Sequence, residues 1–444
     1  MPTSSTIMDA NSFRPEMMDS LDEATRTLVK RREILGPSYR LFYQEPLHLV
    51  RGRGTRLFDA DGTEYLDVYN NVVSVGHCHP RVVDAIQKQV AELNTHSRYL
   101  HENILNYAED IVSTLPEAIN RIMFMCSGSE ANDLAVRVAK AYSGGTGIIV
   151  SSEAYHGNTA LIEKLSPALG GDQPMAIDMR MIPTPDSYRL DTDDLGTWMA
   201  DQVRAAIADM QRHSIKFAGL LADSIFSSDG IYPTPAGYLK PVIDAVHEAG
   251  GIWIADEVQP GFTRTGESFW GFQRHGITPD VVTMGKPMAN GMPCSGMAVR
   301  AEVLDAFAQK TPYFNTFAGN PVSMAAAQAT LNVMRDEDTQ GNALRVGTAF
   351  RDAVAERMSA HPCIGDVRGS GLYIGAEIVA PGTKTPDHAT AIAIIEDLRK
   401  RHVLTSVCGA GGNVLKLRPP LVFSMDDLDI FLNAFDKTLT SLHL

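Results

Sequence analysis

Apolar and polar positions along this chain follow two periods. Uninterrupted apolar runs at 122–126, 147–150, 217–222, 252–255 and 281–284 are too short for helices. They predict strands buried on both faces, as in a parallel sheet. Between and before them, apolar residues recur every three or four positions. That spacing predicts helices at 81–93, 104–115, 128–142, 197–213 and 239–249, the second stopped by Pro116. Strand alternating with helix through the middle of the chain predicts an α/β class with a mostly parallel, doubly wound sheet.

The flanks read differently. A helix is expected at 21–34, with the first residues loose or lying on a partner. Residues 47–69 alternate, break at Asp61-Gly62 and alternate again, which predicts a β-hairpin. Beyond 284, helices are expected at 301–309, 323–335, 341–360, 389–401 and 425–442. A strand with glycines is expected over 367–378, and another strand at 414–417. This C-terminal mixture predicts a second, smaller domain.

Composition narrows the function. A chain of 444 residues is long for one core, so two domains or one large and one small are expected. Its net charge of −14, without any lysine-rich run, excludes a nucleic-acid surface. An anionic substrate would need local basic groups. The five cysteines, Cys78, Cys126, Cys294, Cys363 and Cys408, form no CxxC pair. They predict neither a disulfide framework nor a zinc ribbon, and they fit a reducing cytoplasm. The first twenty residues do not read as a signal peptide, and no apolar run approaches membrane-spanning length.

The chemistry sits at strand ends. Asp256 directly follows one buried run and Lys286 follows the next after one glycine. In open α/β sheets, reacting groups gather at the C-terminal ends of strands. A carboxylate and an amine on one sheet rim suit pyridoxal phosphate, which needs a Schiff-base lysine and an acid to hold its ring nitrogen protonated. Met284, Pro287 and Met288 would keep the lysine in an apolar pocket, where it loses its proton readily. Taken singly, both residues also read as a surface lysine and a helix-capping aspartate. Ser127-Gly128-Ser129 leads from a strand into a helix, which makes either a phosphate cradle or an ordinary serine cap. Tyr155-His156-Gly157 offers an aromatic to stack on a ring, or simple core packing. Arg418, between a strand and two prolines, suits carboxylate or phosphate. His77, Cys78 and His79 lack a third ligand at useful spacing, so loop hydrogen bonding is preferred to a metal there.

Taken together, SGSEAND at 127–133, YHG at 155–157, DEVQ at 256–259, GK at 285–286, TFAGNP at 316–321 and LRPPL at 417–421 resemble the class III pyridoxal-phosphate aminotransferases. The resemblance runs from about Pro37 to the end. YNNVVSVGHCHP, THSRYLHENI, TPDSYR and IGDVRGSGL look like the ethanolamine-phosphate and phosphohydroxylysine phospho-lyase branch, with the alanine–glyoxylate aminotransferase 2 group as near neighbour. It implies a fold type I enzyme: a large domain around a seven-stranded sheet (75–325), a small α+β domain (326–444), and an N-terminal segment (1–74) joining the small one. It also implies roles. Lys286 would form the Schiff base and shuttle the proton. Asp256 would pair with the pyridinium, and Gln259 with the ring hydroxyl. Val258 and Tyr155 would pack on the two ring faces, with His156 beside them. Gly128 and Ser129 would hold the phosphate. Thr316 would reach it from a second subunit of a homodimer, and Arg418 would bind substrate. Asp223 stands where the family commonly has glutamate, and Pro260 and Thr263 also depart from the pattern.

Three functions remain in view. If the carbon next to the amine carries phosphate, as in O-phosphoethanolamine, proton removal can expel it and give aldehyde, ammonia and phosphate. Without a leaving group, the same site would transfer the amine to a keto acid such as pyruvate. A cofactor-free scaffold is the third, and Lys286 with Asp256 argues against it.

Overall fold

The computed structural model describes Thr6 and residues 9–170 and 175–444. The expectation for the first residues lies mostly outside them. In chain order the elements are α1 (Glu23–Arg32), β1 (Leu49–Arg53), β2 (Arg56–Asp59), β3 (Glu64–Asp67), α2 (Pro80–Glu92), α3 (Glu102–Val112), β4 (Arg121–Met125), α4 (Gly128–Ser143), β5 (Gly147–Ser151), β6 (Met179–Ile182), α5 (Leu195–Arg212), β7 (Phe217–Asp223), α6 (Lys240–Glu248), β8 (Ile252–Asp256), β9 (Val281–Met284) and β10 (Ser295–Val299). There follow α7 (Ala301–Ala308), α8 (Pro321–Asp336), α9 (Thr339–Glu356), β11 (Ile364–Ser370), β12 (Tyr373–Ile378), α10 (His388–Lys400), β13 (Val403–Leu404), β14 (Ser406–Cys408), β15 (Val414–Leu417) and α11 (Met425–Ser441).

Seven strands form the central sheet in the order β4-β10-β9-β8-β7-β5-β6. Strands β5 to β9 pair in parallel, while β10 runs antiparallel to both β9 and β4. Successive side chains of a strand point to opposite faces, so a strand covered on both faces must be apolar throughout. In β8, Trp253 and Ala255 join one core with Ile149, Leu220 and Val282. Ile252 and Ile254 join the other with Ile148, Val150 and Leu221.

Two antiparallel assemblies flank this sheet. β11-β12-β15-β14 is one, and β1-β2-β3 is the other, extended by β13. β13 lies parallel to β3, with Val403 beside Leu66 and Leu404 beside Asp67.

The structure corrects several expectations. The hairpin at 47–69 is a three-stranded meander, because a second tight turn at 54–55 precedes the one at Asp61-Gly62. The strand over 367–378 is two strands folded back at Gly371 (φ +55). Residues 368–373 about the turn are buried, so it leaves no polar mark. The helix 341–360 begins earlier, at Thr339, and ends at Glu356. Two strands of the central sheet, β6 and β10, fall where none was read. Gly296 in β10 lacks the apolar signal because space is short: an added Cβ would meet Met284 Cγ at 3.3 Å and Ile122 Cδ1 at 3.4 Å.

Candidate active site

β7, β8 and β9 end along one rim of the sheet. Their register sets Asp223 beside Asp256, and Asp256 beside Thr283. Met284 closes β9, and Gly285 then delivers Lys286 to the same rim. A cavity of about 350 Å³ opens there. Gly128, Ser129, Tyr155, His156, Asp256, Val258, Gln259 and Lys286 all line it, as does Asp223.

Asp256 is 5% exposed and held from three sides. Asn132 Nδ2 and His156 Nδ1 donate to its Oδ2 at 2.9 and 2.7 Å. The Val258 backbone N–H donates to Oδ1 at 3.0 Å. A carboxylate oxygen accepts two hydrogen bonds readily, so Oδ1 keeps capacity for one more donor. Asn132 is fixed in turn: Thr283 Oγ1 donates to its Oδ1 at 2.6 Å, and its own Nδ2 also donates to the His156 carbonyl. Burial, with the Arg418 charge acting the same way, pushes the Lys286 amine down to about 8, while Asp256 opposes the fall. Burial and then the Asp256 charge push Asp223 up to about 6. Tyr155 is raised by burial first and by Asp256 second.

At the opposite side, α4 starts with Ser127 as its cap, in a reciprocal box with Glu130. The serine cap and a phosphate cradle are therefore compatible, because the backbone N–H groups of Gly128 and Ser129 have no partner among the described residues. Such a helix start attracts anions. Glycine is needed at 128, since a Cβ would come within 2.9 Å of Val258 Cγ2.

Two predicted residues stand elsewhere. Thr316 is exposed and outside the cavity of its own chain. Arg418 is buried behind Gln259 rather than on the cavity wall. Its Nε donates to the Tyr69 carbonyl at 3.1 Å, and its Nη1 donates to Gln259 Oε1 and, at 3.3 Å, to Tyr373 Oη. Tyr373 also donates to Gln259 Oε1, at 2.9 Å. These donors fix the Gln259 amide with Nε2 free to donate. His77 and His79 diverge, to Asp67 at 2.7 Å and Glu337 at 3.1 Å.

Asn132 and Tyr373 carried no role in the sequence reading. The available signal was polarity in an apolar setting. Asn132 sits among Ala131, Leu134 and Ala135 on the buried face of α4, and Tyr373 opens a wholly buried strand.

A carboxylate with a free acceptor site, a depressed amine and a helix start with two free N–H groups surround one cavity on a doubly wound sheet. This fold and site define the type I pyridoxal-phosphate enzymes. The model of the class-III aminotransferases matches residues 42–439, and the chain belongs to that family. An alanine–glyoxylate aminotransferase 2-like protein of Drosophila melanogaster is 38% identical over 431 residues, covering 94% of this chain and 87% of the relative. Ethanolamine-phosphate phospho-lyase homolog 1 of Caenorhabditis elegans is 36% identical over 434 residues, 93% of each. The solved structure of an Arthrobacter phospholyase in complex with phosphoethanolamine superposes with a TM-score of 0.90 at 42% identity, covering 93% of this chain and 99% of that one. The cofactor of the family is pyridoxal 5′-phosphate, and the donors around the cavity fit it. His156 Nε2 and the Asp256–Asn132 pair form a polar wall, the former buried without a partner among the described residues.

Proposed function

We propose that the protein is a phospho-lyase that converts O-phosphoethanolamine, or a similar phosphorylated amine, and water into aldehyde, ammonia and phosphate. The observation that carries this is the likeness, over nearly the whole chain, to a phospholyase holding phosphoethanolamine. Bound pyridoxal phosphate supplies an electron sink for the carbanion at the amine-bearing carbon. Lys286 would hold the cofactor, and its neutral Nζ would take the proton from that carbon. Asp256, oriented by Asn132 and His156, would pair with the ring nitrogen and keep it protonated. Gln259 Nε2 would donate to the ring hydroxyl, and Val258 and Tyr155 would pack on the two ring faces. The N–H groups of Gly128 and Ser129 would receive the cofactor phosphate. The substrate C–O bond then breaks and its electron pair leaves with the phosphate, which Arg418 stabilises from behind Gln259.

The active unit in this reading is a homodimer with shared sites. Tyr99, Leu100, Phe314 and Phe317 are exposed around the segment that carries Thr316, where a second subunit would cover them and receive Thr316. The functional domains are 75–325 for the cofactor and 326–444 with 1–74 for the small lobe. All five cysteines are free thiols, which suits a cytoplasmic enzyme.

The test supplies O-phosphoethanolamine and no keto acid. Stoichiometric phosphate and acetaldehyde are expected. Amino transfer to pyruvate without phosphate release would replace this reading with the transaminase one, which membership of the class-III aminotransferase family also supports.

A further inference from the structure

Behind Gln259, a residue of the cavity wall, lies an unusual set of buried charges. Buried cations are normally paired, because an isolated charge away from water is costly. Elsewhere in this chain they are: Arg368 meets Asp366 and Glu377, and Arg399 meets Glu45 and Glu396. Lys416 and Arg418, each 5% exposed, have no ion pair among the described residues. Their neighbour Arg264, 2% exposed, donates among the described residues only to the carbonyls of Leu372 and Pro419. Three buried cations thus lie without a matching carboxylate close to the site.

Lys416 is the least engaged of the three. It sits two positions before Arg418 at the end of β15, so the two side chains leave the same face of the strand. Both flank the ring of Tyr373, with Lys416 Nζ 5.8 Å and the Arg418 guanidinium carbon 5.4 Å from its centroid. The Tyr373 hydroxyl reaches Gln259 on the cavity wall. Across from Lys416 on the two neighbouring strands stand Gly375 and Ser406, both small. Arg418 commits Nε and Nη1 to Tyr69, Gln259 and Tyr373 and keeps Nη2 uncommitted among the described residues, whereas Lys416 Nζ makes no hydrogen bond among them. Burial first and Arg418 second press the Lys416 amine toward losing its proton, a pressure that an incoming anion would relieve.

We infer that Lys416 is the specificity-determining cation for the phosphate of the substrate, completing with Arg418 a site for a doubly charged anion that a monoanionic carboxylate would satisfy only in part. This rests on the phospho-lyase reading for the substrate. The site itself is testable without it.

The experiment uses the cofactor-loaded protein as wild type, Lys416→Met and Lys416→Arg. Calorimetric titration with inorganic phosphate reads the site directly, and steady-state kinetics with O-phosphoethanolamine reads its use. Lys416→Met is expected to weaken phosphate binding at least tenfold and to raise KM by a similar factor with kcat within threefold. Lys416→Arg is expected to recover most of both. Ethanolamine, which lacks the phosphate, is expected to inhibit all three proteins equally. Unchanged phosphate affinity in Lys416→Met, or equal weakening for phosphate and ethanolamine, would overturn the assignment. If the wild type binds phosphate through Lys416 yet releases none from O-phosphoethanolamine, the anion site stands and the phospho-lyase reading falls.

Discussion

Lys286 owes its reactivity to where it is placed. An amine at its ordinary value near 10.5 would be almost wholly protonated at neutral pH, and a protonated amine cannot attack the cofactor aldehyde. Here burial brings it to about 8. Below that value the ammonium form dominates, and above it the neutral amine. The rate of cofactor loading, followed by absorbance, is therefore expected to climb as pH passes about 8 and to level off well below 10. Lys286→Ala should lose the Schiff-base absorbance and reduce phosphate release to background. Asn132 acts through Asp256. Removing its amide leaves a buried carboxylate short of one donor, a loss of roughly 1–3 kcal/mol. Asn132→Ala is expected to weaken cofactor binding about tenfold or more in a fluorescence titration, with the fold retained by circular dichroism.

Elements put these residues in range, and their legibility varied for physical reasons. β8 and β9 were readable because both faces are covered, which forces continuous apolar runs; β8 stops at Asp256, and β9 stops one glycine short of Lys286. β10 was not, since its small residues answer to close neighbours rather than to a period. The β11–β12 turn was hidden because its surroundings are protein instead of water. Gly371 has φ +55, and a Cβ there would lie 2.4 Å from the Thr265 carbonyl carbon. Backbone cannot retreat as a side-chain tip can. Gly371→Ala is accordingly expected to lower the melting temperature measurably and to cost about 1–3 kcal/mol in denaturant unfolding. The cofactor residues were legible as motifs, but Asn132 and Tyr373 act through partners far away in sequence, which no local pattern records. Arg418 was readable as a rigidly held cation. Its position behind Gln259 was not, because that depends on Tyr69 and Tyr373.

At the scale of the whole molecule, one chain leaves apolar surface bare. Leu100 is 97% exposed and Phe317 71%. Burying such side chains against a second copy is worth about 1.5–3 kcal/mol each. A charge at that position would oppose association. For the proposed homodimer, Leu100→Asp and Phe317→Asp are expected to shift the mass toward monomer in light scattering and to lose activity together with assembly. An unchanged dimer mass for both would place the interface elsewhere.

The parallel pairing of β3 with β13 has a consequence for synthesis. The partner of Leu66 is Val403, so the meander emerges from the ribosome hundreds of residues before the strand that completes it. At ordinary translation speeds that interval is on the order of half a minute. During it, the β3 edge is open to strangers. The central sheet, whose strands lie between Arg121 and Val299, can assemble meanwhile. The nascent chain would thus mature from its middle outward, with its beginning held in waiting for its end.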